Sequence, residues 1–378
     1  MILIAGGGIA GPAVALALHK AGFQATVFEG HADTGEDAGA FLTLARNGIT
    51  ALAQFDADDL VAGAGFPLTS MQVLTSDGET AATAPLPGYR CLRRAELCGL
   101  LQAETVRRGI PLHHGKRVEA VVESDVDVTV RFGDGSTASG ELLIGADGLN
   151  SAVRSFVAPA AAPRYAGQRV FYGYTEAGTP PHEQERIVMV RGSAVAFGYA
   201  VSPGGETSWF GRVHAEENSA VDRHRLLDLL RPDATPAADI VAATSGPVLA
   251  TDARDVPSVA RWSTRRTLLV GDAAHAASPA TGQGASMALE DAVVLAKALR
   301  DSASPFETYE RARRPRVEHN IANSARMTAG ATSTVPRRRE PVSEDELAAQ
   351  LDWDTPLAGE VRRGPCGGTS SAGTTARC

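Results

Sequence analysis

Three glycines stand near the start of the chain as Gly6-x-Gly8-x-x-Gly11. That spacing serves phosphate chemistry. The first glycine permits a tight turn, the second lets a pyrophosphate approach backbone amides, and the third lets a helix pack closely on the preceding strand. Glu29 follows at the end of a second expected strand. A carboxylate there accepts hydrogen bonds from a ribose hydroxyl and disfavours a 2′-phosphate. The apolar run Ile2 to Ala5, a helix over Pro12 to Ala21 stopped by Gly22, and a strand over Ala25 to Phe28 frame these residues as a βαβ unit. The helix N-terminus supplies amide donors and a favourable dipole. In that context a dinucleotide site is expected rather than a glycine-rich structural turn.

Two later segments separate NAD from FAD. Gly145-Ala146-Asp147-Gly148, followed by Asn150, Ser151 and Arg154, lies between a strand and a helix. Asn150 or Ser151 can cap that helix, and alone the segment reads as an ordinary capped loop. Gly271-Asp272-Ala273-Ala274-His275 precedes Pro279, then Gly282-Gln283-Gly284, then Glu290-Asp291-Ala292. An aspartate at a strand end can bind a ribityl or ribose hydroxyl. Gly282 to Gly284 open a helix whose amides can face the negative N1–C2=O edge of a reduced flavin. The same glycines let a flat ring lie against backbone.

The remaining elements must position these residues. A helix over Arg94 to Arg108, strands over Val118 to Val122, Val126 to Phe132 and Glu141 to Ile144, and a turn at Gly133-Asp134-Gly135 predict a β-meander returning to the sheet. Residues 165 to 215 hold eight of the 20 aromatic residues. Val195, Phe197, Tyr199 and Val201 alternate with Ala196, Gly198 and Ala200, so a second, mostly antiparallel sheet is expected, joined by Met71 to Thr75. The small-residue face could leave room for a flat substrate. Thr267 to Val270 predicts a buried strand and Gly284 to Arg300 a long helix. A further helix over Pro305 to Thr328 is expected to be interrupted near Pro315, and a short one over Ser343 to Leu351. Gly364 to Cys378 reads as disordered.

Composition narrows the class. With 378 residues the chain can build two closely joined domains. A net charge of −8 and only three lysines, Lys20, Lys116 and Lys297, argue against a nucleic-acid partner. No apolar run of about 18 residues predicts a membrane span. Four cysteines without metal-like spacing fit a reducing, cytoplasmic setting, and the nine histidines show no metal-like pairing beyond His113-His114.

The order GGGIAG, Glu29, Arg94-x-x-Leu97, GADG…R and GDAAH…P..GQG…EDA resembles the para-hydroxybenzoate-hydroxylase-like (group A) FAD monooxygenases over roughly residues 1 to 330. The resemblance implies an α/β (α+β) fold pairing a discontinuous Rossmann-like FAD domain with a β-sheet substrate domain. Residues 1–70, 91–164 and 262–300 would form the first and 71–90 with 165–261 the second. Residues 301–331 would form a C-terminal helix and 332–378 a partly disordered tail. By resemblance, Gly6, Gly8, Ile9, Ala10 and Gly11 would hold the pyrophosphate and Glu29 the adenosine ribose. Arg94 would reach the ribityl–phosphate region, and Val118 would border the adenine through its backbone. Asp147 would support the cofactor and the nicotinamide approach, with Arg154 bracing its loop. Asp272 would bind FAD directly, Pro279 would lie close to the flavin ring, and Gly282, Gln283, Gly284 and Ala285 would follow its pyrimidine edge. His275 would be structural. In the segment Gly39 to Gly48, Thr43 could face the cofactor, while Arg46 replaces the proline of many relatives and could bind phosphate or point to solvent. After about residue 332 the resemblance is loose, resting on Leu351-Asp352-Trp353-Asp354.

The family's chemistry belongs to the flavin. NAD(P)H reduces FAD, O2 adds at C4a, and the hydroperoxide oxygenates an electron-rich substrate. The resemblance thus implies an NAD(P)H- and O2-dependent enzyme that hydroxylates or epoxidises an aromatic or polycyclic, polyketide-like molecule. No second nucleotide-binding fold is evident, so NAD(P)H would bind transiently. Phe171, Tyr172, Tyr174, Phe197, Trp209, Arg212 and Pro279 are the pocket candidates, although the aromatics could simply fill the sheet's core. His214 and Tyr172 are possible bases. A flavin-dependent reductase or oxidase, and a catalytically silent FAD-binding protein, are the competing readings. A halogenase is disfavoured by the scattered tryptophans Trp209, Trp262 and Trp353. An NAD dehydrogenase would leave the Gly271-Asp272 motif without purpose. The arginine- and alanine-rich composition associates the chain with bacterial secondary metabolism, antibiotic biosynthesis included.

Overall fold

The computed structural model describes residues 1–33, 40–176, 185–330 and 340–357. Its centre is a five-stranded sheet in the order Thr267–Leu269, Leu142–Gly145, Ile2–Ala5, Ala25–Phe28 and Leu112–His113. Every pairing in it is parallel. Both faces are covered, which is why Ile2 to Ala5 carries no polar side chain. The helix Ala10–Lys20 lies over this sheet. Its residues Ala13 to Leu18 are fully buried, because the helix Gly284–Asp301 covers its other side.

The strands Val118–Glu123, Val128–Phe132 and Thr137–Gly140 form a separate three-stranded antiparallel sheet. The meander expected from the sequence therefore closes on itself, and only the following strand, Leu142–Gly145, enters the parallel sheet. Its hairpin is set by Asp134, which accepts from the Ser136 amide, and by Gly135 at φ +83°.

An eight-stranded sheet supplies the second layer. Its order is Leu249–Asp255, Arg164–Thr175, Thr207–His214, Val195–Val201, Arg186–Arg191, Phe66–Thr75, Thr80–Arg93 and Phe41–Leu44. All pairs are antiparallel except Arg186–Arg191 with Phe66–Thr75. The sheet thus draws on residues 41–44 and 66–93, a wider stretch than the expected 71–90. Long strands hydrogen-bonded on both edges do not stop at a compositional boundary.

The helices Arg223–Leu230 and Ala237–Ala243 cover one face of this sheet. The other face looks towards the parallel sheet. The helix Pro305–Ala329 runs unbroken through Pro315, contrary to the expected interruption. Tertiary contacts hold both sides of the proline: Arg313 pairs with Glu290 and Asp291, and Arg316 with Glu290. The short helix Glu344–Leu351 starts at a Ser343–Glu346 capping box. Lys297 donates to the carbonyls of Ala349, Gln350 and Asp352 at its other end. The expected disorder of Gly364 to Cys378 lies outside the described residues. Among the described residues no helix is long and apolar enough to cross a membrane.

Candidate cofactor and substrate site

The glycine turn leaves the strand Ile2–Ala5 and enters the helix Ala10–Lys20. Gly6 has φ +105°, and a Cβ there would fall 2.3 Å from the Ala146 carbonyl oxygen. A Cβ on Gly11 would lie 1.9 Å from the Gly6 carbonyl oxygen. Both are packing glycines. Gly8 differs: the nearest atom to its Cβ position is Arg94 Nη2 at 3.8 Å, so its backbone faces open space beside a guanidinium. Glu29 accepts from the amides of Gly7 and His31 and so ties the second strand to the turn. Gln102, which the sequence reading missed, donates to the Gly7 carbonyl at 2.7 Å.

The second loop is held from beneath. Asp291 accepts from Gly271 N at 2.9 Å and Arg313 Nε at 2.7 Å, and pairs with His275 Nε2 at 2.6 Å. Burial would raise the Asp291 carboxyl, but His275 and Arg313 outweigh it and hold it at about 2. His275 is therefore tied down inside the protein. Glu290 likewise receives Arg313, Arg316 and Asn47. Asn47 also donates to Gln283 Oε1 at 3.2 Å, linking the 41–48 segment to the Gly282–Gly284 turn. This network fixes Gly271, and Asp272 follows it into the cavity lining. Gly282 is left-handed at φ +65°, which turns the chain into the 18-residue helix Gly284–Asp301. That helix opens its unpaired amides, and the positive end of its dipole, onto the same space.

Between the two sheets lies a cavity of about 720 Å³. It brings together Gly8, Ile9, Ala10, Thr43, Arg94, Asp272, Pro279 and Gly282 to Ala285. Tyr172 and Arg212 line it from the large sheet. Gly6, Gly11, Glu29, Val118 and Asp147 do not line it. Gly6, Gly11 and Glu29 shape the turn behind it. Val118 is buried in the main core, and Arg46 is exposed at the start of the helix Arg46–Gln54. Asp147 accepts from the Ser151 hydroxyl and from Val153 N, so it caps the helix Ala152–Val157 while its neighbours Ala146 and Gly148 line the cavity. Burial raises the Asp147 carboxyl against those hydrogen bonds. Arg154 donates to the carbonyls of Leu149, Ala161 and Ala273 and braces both loops.

Four of the aromatic pocket candidates lie outside the cavity. Phe171, Phe197 and Trp209 lie on the opposite face of the sheet, fully buried under the helices Arg223–Leu230 and Ala237–Ala243. Trp209 Nε1 donates to Thr244 Oγ1 at 2.9 Å there. Tyr174 stacks with Arg93 at 4.4 Å outside the cavity lining, and His214 is exposed. The room expected over Gly198 is already filled: a Cβ there would meet the Phe210 ring at 2.5 Å and Met189 Sδ at 3.0 Å. Phe210, Met189 and Met71 are lining residues that the sequence reading did not single out. The two-residue period that puts Phe210 on the same face as Arg212 was the available signal.

An elongated, phosphate-bearing cofactor with a flat ring fits this lining. Gly8 offers backbone beside Arg94 at one end, and at the other a Cβ on Gly284 would meet nothing within 4 Å. Among the described residues no cluster could hold a metal ion. Fold and site together define an FAD-binding flavoprotein in which a parallel nucleotide-binding sheet faces a large mixed sheet across one cavity. The family model described as FAD binding domain matches residues 1–324. The chain is 30% identical over 342 residues to the aurachin C monooxygenase/isomerase of Stigmatella aurantiaca, covering 86% of this chain and 88% of that protein. It is 31% identical over 337 residues to an FAD-dependent urate hydroxylase of Klebsiella pneumoniae, covering 83% and 86%. The solved structure of Klebsiella pneumoniae HpxO complexed with FAD and uric acid superposes with a TM-score of 0.79 at 27% identity, covering 94% of this chain and 93% of that one. The chain belongs to the FAD-binding-domain family and, within it, to the para-hydroxybenzoate-hydroxylase-like FAD-dependent aromatic monooxygenases.

Proposed function

We propose that this chain uses NAD(P)H and O2 to hydroxylate or epoxidise an aromatic or polyketide-like small molecule. The observation that carries the reading is the single cavity that joins the Gly8–Arg94 backbone, the Gly282–Ala285 helix start and the inner face of the eight-stranded sheet. FAD, when bound, would supply the redox chemistry and the activated oxygen. The protein's residues do the rest. Gly8 and Arg94 would hold the phosphates, and Asp272 a ribityl hydroxyl. The helix start at Gly284 sets a positive potential where the reduced ring's charge would lie. Pro279 and Ala280 to Ala285 form a wall against which a flat ring and a flat substrate can be stacked. The apolar lining from Met71, Met189 and Phe210 keeps water away from the reacting pair. The relatives' names give aurachin C and urate as the molecules they act on, and a cavity of this size is in the range of small-molecule sites.

Purified protein loaded with FAD is to be assayed for NADH and NADPH oxidation with candidate ring compounds, in air and without oxygen. Substrate-stimulated turnover that requires O2 and yields an oxygenated product is expected. Equal turnover without oxygen would identify a reductase, and FAD binding without stimulated oxidation would identify a silent binding protein.

A further inference from the structure

The chain has five methionines, Met1, Met71, Met189, Met287 and Met327. Met287 is buried, with Arg313 Nη2 donating to its Sδ at 3.6 Å. Met1 is 48% exposed and lies outside the cavity lining. The other three all line the cavity. Among the described residues that lining takes 30 of the chain's 378, so an even spread would place fewer than one methionine there.

Met71 stands on the strand Phe66–Thr75 and Met189 on the strand Arg186–Arg191. These strands pair in parallel, with Ile187 beside Met71 and Val73 beside Met189, so the two thioethers share a face one two-residue step apart. Met327 lines the cavity from the last turn of the helix Pro305–Ala329. Its neighbour Thr328 meets Ser278 Oγ at 2.7 Å, which places this turn beside the Pro279 wall. Met327 is 47% exposed, nearly matching Met1.

An apolar wall needs no sulfur. Leu86 and Ile187 line the same cavity, and a leucine would fill a methionine's volume. What a thioether adds is a sulfur that peroxide can oxidise. The described thiols do not compete. Cys91 and Cys98 are buried, neither lines the cavity, and burial pushes the Cys91 thiol up to about 12.

The cavity is also where an oxidant can arise. Reduced FAD that meets O2 with no substrate to oxygenate passes it two electrons and two protons, which gives hydrogen peroxide. We propose that Met71, Met189 and Met327 are oxidation sites for that peroxide. The sulfur attacks one peroxide oxygen, the O–O bond breaks, and the other oxygen leaves as water with both protons. Hydrogen peroxide and thioether become water and sulfoxide, and the sulfur loses the two electrons that the peroxide gains. Each sulfoxide puts a polar group into an apolar wall. A protein that cycles without a fitting substrate thus degrades its own fit for apolar rings. The proposal rests on the oxygenase reading in taking reduced FAD to react with O2, and it does not depend on NAD(P)H or on the substrate's identity.

The test uses the purified, FAD-loaded protein. It is reduced anaerobically by light with EDTA, then exposed to air in the dark with catalase present, and the cycle is repeated. Peptide mass spectrometry reads the one-oxygen gain at each methionine, and the visible spectrum reads reoxidation. Parallel samples that were never reduced receive reagent hydrogen peroxide without catalase. Yields at Met1 and Met327 are divided by their reagent values, which cancels intrinsic differences such as the Thr26 hydroxyl donating to Met1 Sδ. Catalase removes peroxide that escapes, so peroxide released inside the cavity should mark Met327 at least about fivefold over Met1, as proximity dictates. Met71 and Met189 should be marked as well, and the buried Met287 spared. A smaller normalised ratio, or unmodified Met71 and Met189 after air has restored the oxidised spectrum, would overturn the proposal alone. Failure of air to restore that spectrum would sink the oxygenase reading and the proposal with it.

Discussion

Asp291→Asn isolates the buried charge network beneath the flavin-facing loop. Asp291 is fully buried, and its two oxygens serve Gly271 N, His275 Nε2 and Arg313 Nε. The amide variant keeps the shape, removes the charge and turns one acceptor into a donor facing another donor. Breaking a buried charge pair of this kind costs about 3 kcal/mol. The titration gives a similar figure. A carboxyl lowered from 3.8 to about 2 contributes roughly 2–3 kcal/mol in its ionised form. With an unfolding entropy of roughly 0.8 kcal/mol/K for a chain of this length, the melting temperature should fall by about 4 °C. Because the folded-state value is depressed, the contribution is complete above about pH 4 and is lost as pH falls through about 2. The gap between the two proteins should therefore hold from neutral pH to about pH 5 and close on further acidification. Melting curves across that range are the assay, with FAD titration at pH 7 as a second readout, since Gly271 precedes the cavity residue Asp272. A variant that melts within about 1 °C of the parent at pH 7, or a gap unchanged by acid, would refute the reasoning.

Further outcomes follow from the same geometry. Gly11→Ala should abolish FAD retention and lower stability, because its Cβ would strike the Gly6 carbonyl, whereas Gly8→Ala should fold normally and only weaken FAD; FAD content and the apoprotein melting curve separate the two. Trp209→Ala should destabilise by about 3–5 kcal/mol in denaturant titration, since it empties a core position, yet leave ligand preference unchanged because it lies behind the sheet. Lys297→Met should free the 344–357 segment from its three-carbonyl anchor, and limited proteolysis should then cut there well before the rest of the chain.

Sequence and structure agree where the determinants are local. The glycine turns, the strand Ile2–Ala5 and the long helix from Gly284 follow from spacing within a dozen residues. What escaped was long-range. Strict alternation in Val195–Val201 defines two faces but not which one meets the cavity, so Phe171, Phe197 and Trp209 stay open between pocket and core until the structure puts them in the core. Two helices from residues 223–243 claim that side. The parallel pairing of Phe66–Thr75 with Arg186–Arg191 joins segments more than a hundred residues apart, and nothing in either segment announces it. Pro315 carried a correct local warning that buried ion pairs override. Gln102 and Asn47 act through single hydrogen bonds to distant loops, which leave no periodic trace.

The order of the parallel sheet has a consequence for biosynthesis. Ile2–Ala5 is a central strand, flanked by Ala25–Phe28 and Leu142–Gly145. Its second neighbour is translated about 140 residues later, which at ordinary elongation rates is on the order of ten seconds. During that interval an uncharged, wholly apolar strand is available to the ribosome's surroundings with one edge unpaired. Until the strand Leu142–Gly145 emerges that edge has no native partner, and the Gly6 turn lacks the Ala146 carbonyl it packs against.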